Sequence, residues 1–304
     1  DKILGVAFDL SGDLFNFPYF GIETLVGNVA APDVIGGRGF IRPLKMLDIP
    51  IISNLEIGAS MGMDLNVYSW EEDPPEESAS IAVSGVDFRM PILSSKLLSM
   101  ALFGDLARLE VEDSPGGGMV GLGGKMLGFL TYGAQLRVIG ENFTPVYFNQ
   151  SYDVAKAGKY DTLMASIEAG EPTPQFLSAF ASAGTRFMDD KIILLAYIDF
   201  PLEQVIEDTE ENPHPLNYPH LHGKLILSEG IIPGFSADAS YDKQFIDSFT
   251  DLFDPFGAII KARINYGSGP AMISMVYNLR YDPDPTLETP WVVTSGLESS
   301  LQLF

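Results

Sequence analysis

The stretch Leu55-Glu56-Ile57-Gly58-Ala59-Ser60-Met61-Gly62-Met63-Asp64-Leu65-Asn66-Val67 decides the fold. Its odd positions are all apolar, and its even positions are polar or glycine. Side chains of an extended chain alternate between two faces, so the pattern predicts one strand with a wholly apolar side and a wet side. Strands of soluble proteins usually run to about 5–6 residues. Thirteen residues at ~3.3 Å each would reach roughly 43 Å, or about 30 Å of height at a tilt near 45°. That height matches the hydrocarbon core of a bilayer.

The same two-residue period recurs outward from this stretch, in Leu130–Val138, Phe235–Asp242, Ala258–Tyr266 and Ala271–Tyr281. In the final stretch Val293, Leu297, Leu301 and Leu303 oppose Thr294, Glu298, Ser300 and Gln302. Further strand candidates lie at 3–11, 18–29, 37–45, 80–92, 97–111, 118–127, 175–187, 190–201 and 222–231. Turn-forming clusters separate them at 113–118, 267–270 and 282–285. We expect an all-β fold of roughly 12–14 antiparallel strands in an up-and-down barrel. The expected organisation is a single domain over 1–304, with long loops or inserts near 71–78, 141–174, 203–220 and 242–256. The alternation slips near Gly85, as a β-bulge there would make it. Between Glu141 and Pro174 it lapses altogether, and the segment reads as a lumenal loop, a short helix or a long outer loop. In Gln244–Phe253, Phe245, Ile246, Phe249, Leu252 and Phe253 recur at helical spacing, which predicts a loop helix packed by its apolar side.

A transmembrane helix is excluded, because the longest apolar run, Ile192–Ile198, has seven residues against the ~20 that a helical span needs. Strands in lipid have no solvent partner for free backbone groups, so a spanning sheet is expected to close on itself. A soluble sandwich also alternates, but with shorter strands. The chain has no cysteine, which removes disulfides, thiol catalysis and thiolate metal sites. A net charge of −23 argues against nucleic acid as a partner. No leader segment is legible ahead of Asp1, which leaves open whether Asp1 is a processed N-terminus.

No catalytic constellation is legible. The three histidines, His214, His220 and His222, fall in one proline-rich stretch that reads as a loop; His220 and His222 would project to one side and need acids to complete a metal site. Gly121-Leu122-Gly123-Gly124-Lys125 lacks phosphate-loop spacing and reads as a glycine-rich strand. Neither a cofactor nor a metal is expected, and the chain does not read as an enzyme. What remains is the wet side. With the apolar residues toward lipid, Glu56, Asp64, Asp87, Arg89, Lys125, Gln135, Arg137, Asp238, Asp242, Lys261, Arg263, Asn265 and Arg280 are expected to line a pore.

The chain ends Gly296-Leu297-Glu298-Ser299-Ser300-Leu301-Gln302-Leu303-Phe304, an alternating stretch closed by a terminal phenylalanine. Together with the alternation along most of the chain, this resembles bacterial outer-membrane β-barrels, including porins and fatty-acid-transporter-like channels. One departure is that Leu297, Leu301 and Leu303 lie on the opposite parity to Phe304. Trp70, Tyr266, Tyr281 and Trp291 near strand ends resemble an interfacial aromatic girdle. The resemblance implies a bacterial outer-membrane location and outer-membrane lipid as surroundings. It also implies recognition of the strand ending at Phe304 by the barrel-assembly machinery, and assembly as a homo-oligomer in the manner of porins. The expected function is a channel or passive transporter for small solutes with a mixed-charge lumen. The alternatives are a surface-interaction protein acting through its acidic loops, and a soluble β-rich assembly subunit.

Overall fold

In the computed structural model the alternating stretch forms strand β4 (Glu56–Asp64), nine residues rather than thirteen. The shortfall has a local cause. Asp64 Oδ1 accepts the Asn66 N–H at 2.9 Å, and Asn66 Oδ1 accepts the Tyr68 N–H at 3.2 Å. These two successive side-chain turns divert the backbone from the ladder. Val67 is then drawn into a buried cluster. The structure describes all residues except 1–4, 13–18, 30–31, 48, 72–74, 76–77, 150–151, 171, 208–213, 269–270, 282–290 and 302–304.

Among the described residues, fifteen strands form one antiparallel up-and-down sheet in chain order. The expected all-β, antiparallel up-and-down order is the one observed, with one strand beyond the expected range: every alternating stretch read from the sequence is a strand of its own. The chain divides into two compact units. The first holds β1 (Val6–Ser11), β2 (Phe20–Val26), β3 (Val34–Ile41), β4, β5 (Ile81–Ser94) and nearly all of β6 (Leu98–Leu109). It also takes the first part of β7 (Gly116–Met126), the last part of β8 (Leu130–Ile139) and the helix α1 (Tyr152–Ala169). The second takes the rest of β7 and β8 and most of β9 (Phe176–Phe187), then β10 (Ile192–Pro201), β11 (His220–Ile232), β12 (Phe235–Lys243), β13 (Ala258–Ser268), β14 (Ala271–Tyr281) and β15 (Trp291–Leu301).

In the first unit the register carries one face across the strands: Glu23 opposes Arg38, Arg38 opposes Ser60, Ser60 opposes Gly85, and Gly85 opposes Ala107. Pairing runs unbroken through Gly85, so no bulge lies there. The irregularity falls between Pro91 and Leu93. Pairing with β4 ends at Glu56 opposite Arg89, so Pro91, which has no N–H to give, lies past the end of that ladder. The opposite face exposes Ile57, Met61, Val86, Leu106, Leu136 and Val138. It turns polar at Ser84 and Arg108, cross-strand partners that both bond to Glu110. These bonds hold the half-buried Glu110 carboxyl below the ordinary carboxylate range, the Ser84 hydroxyl contributing most.

Among the described residues, the buried apolar cluster of this unit lies at one end. There Val67, Ile81 and Leu109 pack with Tyr147, Tyr152 and Leu163 of the β8–β9 connection. That connection is the segment whose alternation lapses, and it contains α1. In the second unit, Ile246 and Ala258 are the buried apolar residues among those described, while Leu194, Ile264, Ile273, Met275, Val293 and Leu297 of the strands are exposed. The loop helix expected at Gln244–Phe253 is reduced to a 3-10 turn, Phe249–Leu252. Phe245 sits at a φ of 57°, which interrupts any helical path, and packs between Tyr218 and Phe256. Asp251 Oδ2 accepts the N–H groups of Asp247 and Ser248 at 2.9 and 2.7 Å, closing the turn. Phe249 and Phe253 are left 77% and 80% exposed rather than packed. Among the described residues no helix is long and apolar enough to cross a membrane.

Candidate functional site

The polar face of the first unit is organised by Arg38, a residue that the alternation in β4 does not reveal. Its guanidinium makes a two-pronged bridge to Asp87, Nε to Oδ2 at 2.9 Å and Nη2 to Oδ1 at 2.6 Å. Nη2 also donates to Glu56 Oε1 at 2.9 Å, and Nη1 reaches Glu23 Oε1 at 3.4 Å. Arg42 takes the other Glu56 oxygen at 3.3 Å. Arg38, Phe40 and Arg42 share a face at two-residue spacing, and both guanidinium groups lie about 5 Å from the Phe40 ring centre. Two glycines make this possible. A Cβ on Gly58 would sit 2.6 Å from Asp87 Oδ2, and one on Gly21 would sit 2.1 Å from the Phe40 ring. Charge-assisted bonds of this kind contribute about 1.5–3 kcal/mol each where water is scarce. Glu56 and Asp87 thus lie on the expected wet face, but as members of an ion network. Arg89 is exposed beside it, and Arg137 is near enough to Asp105 to act on its charge.

Asp64 is placed differently from the other predicted residues. It is fully buried at the end of β4, beneath α1. Lys156, itself 2% exposed, donates to Asp64 Oδ2 at 3.2 Å, to the Asn66 carbonyl at 2.9 Å and to Ser69 Oγ at 2.7 Å. Tyr152 donates its hydroxyl to Asp64 Oδ2 at 3.0 Å. Asp64 therefore anchors the helix rather than facing an open lumen. Burial pushes the phenols of Tyr147 and Tyr152 well up, and pulls the Lys159 ammonium down. Tyr68 donates to Asp161 Oδ1 at 2.6 Å, and that bond raises its pKa to about 12.

In the second unit the wet-face residues Asp238, Asp242, Lys261, Arg263, Asn265 and Arg280 fall on one side of β12, β13 and β14. Asp238 opposes Arg263, Lys261 opposes Ser240 and Asn278, and Arg280 opposes Ile259. Arg263 also reaches Glu298 of β15 at 3.6 Å. Lys125 and Gln135 belong to this unit, near the start of the connection between β7 and β8 and within β8. His220 and His222 are not in a loop. They begin β11 and converge on Asp242: His222 Nδ1 lies 2.8 Å and His220 Nε2 3.4 Å from the same carboxylate oxygen. The His222 ring stacks on Tyr197 at 4.9 Å, and Tyr197 meets Phe180 at 5.4 Å. The proline-rich neighbourhood hides this strand start, although His220, His222 and Lys224 have the two-residue spacing that signals it. The predicted terminal signal at Phe304 lies outside the described residues.

No protein-family model matches the chain, and no curated protein matches it in sequence. Among solved structures it is similar to CdiB from Escherichia coli, with a TM-score of 0.40 and 15% identity over 97% of this chain and 59% of that one. It is also similar to CdiB from Acinetobacter baumannii, with a TM-score of 0.42 and 9% identity over 97% of this chain and 56% of that one. The chain thus spans 56% to 59% of the length of these structures.

Proposed function

We propose that the chain is an outer-membrane β-barrel that passes small solutes along its charged face, with the bacterial outer membrane as its solvent. The observation that carries this reading is an inverted distribution of apolarity. Whole strand faces expose large apolar side chains, with Leu106 at 63% and Leu297 at 73%, while the facing positions hold ion pairs. Water does not tolerate contiguous apolar faces of this extent, whereas lipid rewards each such side chain by about 1.5–3 kcal/mol. A sheet in lipid must also pair its edges, which supports closure. Aromatic pairs at strand ends, Phe235 with Tyr266 and Tyr281 with Trp291, suit the membrane interfaces. Mixed charge on the wet face then sorts solutes by sign and size rather than by chemistry.

Purified protein in detergent is expected to migrate differently on an SDS gel before and after boiling, and to conduct ions in a planar bilayer. Arg263→Glu combined with Arg280→Glu is expected to shift the selectivity of that conductance toward cations. Solubility without detergent and no mobility shift would overturn the membrane reading. An unchanged selectivity would overturn the second unit's role in the pore.

A further inference from the structure

β5 overruns β4: the two strands pair only as far as Arg89 opposite Glu56, yet β5 continues to Ser94. The connection 42–55 leaves the sheet at this point, turning through the 3-10 segments Lys45–Leu47 and Ile52–Asn54. The space that it encloses beside the overrunning strand is a cavity of about 400 Å³, lined by Arg42, Lys45, Asn54, Glu56, Arg89 and Ser94. The β5–β6 irregularity between Pro91 and Leu93 lies at its wall, where such irregularities re-aim side chains.

Its charge is opposite to that of the protein. Three cations line it against one carboxylate, in a chain of net charge −23. That carboxylate, Glu56, is already committed on both oxygens, to Arg38 and to Arg42. Arg42 is held in place by Glu56 and by the Phe40 ring. Arg89 and Lys45 make no ion pair among the described residues. Preorganised Arg42, with Arg89 and Lys45 presented from separate elements, offers forked guanidinium groups and a point charge to one small, multiply charged oxyanion. The cavity's size and the acidity of the rest of the chain disfavour a polyanion.

We propose that this cavity is a binding site for a phosphate group, carried by a small solute. The site rests on the membrane-channel reading only for its role in solute passage; binding itself needs only the folded chain. The first arm titrates the full-length protein in zwitterionic detergent with inorganic phosphate and with glycerol phosphate, followed calorimetrically at fixed ionic strength. A second arm adds anionic phospholipid to the micelles. Saturable binding of the free phosphates, weakened at least tenfold in Arg89→Gln combined with Lys45→Gln and unchanged in Lys224→Gln, is the expected result. Binding seen only with the lipid would overturn the solute assignment. Equal weakening in Lys224→Gln, or no binding by wild-type protein that still shows heat-modifiable folding, would overturn the site while leaving the barrel intact. Phosphate binding without conductance would instead overturn the channel reading alone.

Discussion

Lys156 shows how a single side chain can hold an element in place. Its ammonium meets Asp64, the Asn66 carbonyl and Ser69 where almost no water reaches. Lys156→Met removes the cation and leaves the Asp64 carboxylate buried with the Tyr152 hydroxyl and the Asn66 N–H, both neutral donors. Breaking a buried pair from one side typically costs about 3–5 kcal/mol. We therefore expect α1 to loosen, with proteolysis of the 140–175 connection accelerated and the sheet's resistance to SDS kept. Tyr68 makes a second test. Its raised pKa, about 12, reflects the bond to Asp161, and raising a folded pKa stabilises the protonated form. That contribution is fully present below the ordinary phenol value of 10.0 and is lost as pH rises through about 12. An ultraviolet titration of wild type against Tyr68→Phe should show one phenol fewer ionising near the top of that window.

In the proposed barrel the strand is the element whose two faces meet different solvents. β14 presents Ile273 and Met275 outward, while Ser274 on the other face is buried. A charge placed outward at mid-strand faces hydrocarbon in the proposed barrel, where Arg costs roughly 2–4 kcal/mol. Met275→Arg is expected to lower the folded fraction on insertion into lipid vesicles, measured by the boiled-against-unboiled gel shift. An exchange at Ser299 of β15, which shares Met275's face near the strand end, should cost less. Helix α1 obeys a different rule. Its apolar residues Tyr152, Ala157 and Leu163 are buried, while the helix as a whole is not amphipathic, so no period marks it. The surface that it packs on consists of the ends of β4, β5 and β6, which are far away in sequence.

At the scale of the whole molecule the charge is segregated by topology. The connections after even-numbered strands hold 25 acidic residues against Lys156 and Lys159, a balance equal to the entire net charge of −23. Connections after odd-numbered strands contain no glutamate, and all but 12–19 and 42–55 have four residues or fewer. Outer-membrane barrels carry long loops outside and short turns inside. With that orientation, a glutamate-specific protease added to intact cells should cut the chain within the even connections, first around Glu71 and Glu203. Added only from the periplasmic side, it should leave the connections uncut. Cleavage by that route in the even connections would invert the orientation.

Alternation between two faces depends only on neighbouring residues, so the two-residue period by itself determined the strands and which residues share a face, while the short turns between successive strands pointed to antiparallel order. That Asp238, Asp242, Lys261, Arg263 and Arg280 share one side of β12, β13 and β14 was legible for the same reason. Tertiary structure decided the rest. The end of β4 depends on Asx turns and on α1, which claims Val67 and Asp64. Arg38 became the centre of a network because Gly21 and Gly58, on neighbouring strands, leave room for Phe40 and for the Asp87 bridge. The cavity beside Arg89 exists because one strand outlasts its neighbour. Apart from the Asx turns, each of these is a contact across large sequence separation, set by register and strand length, which no local period encodes.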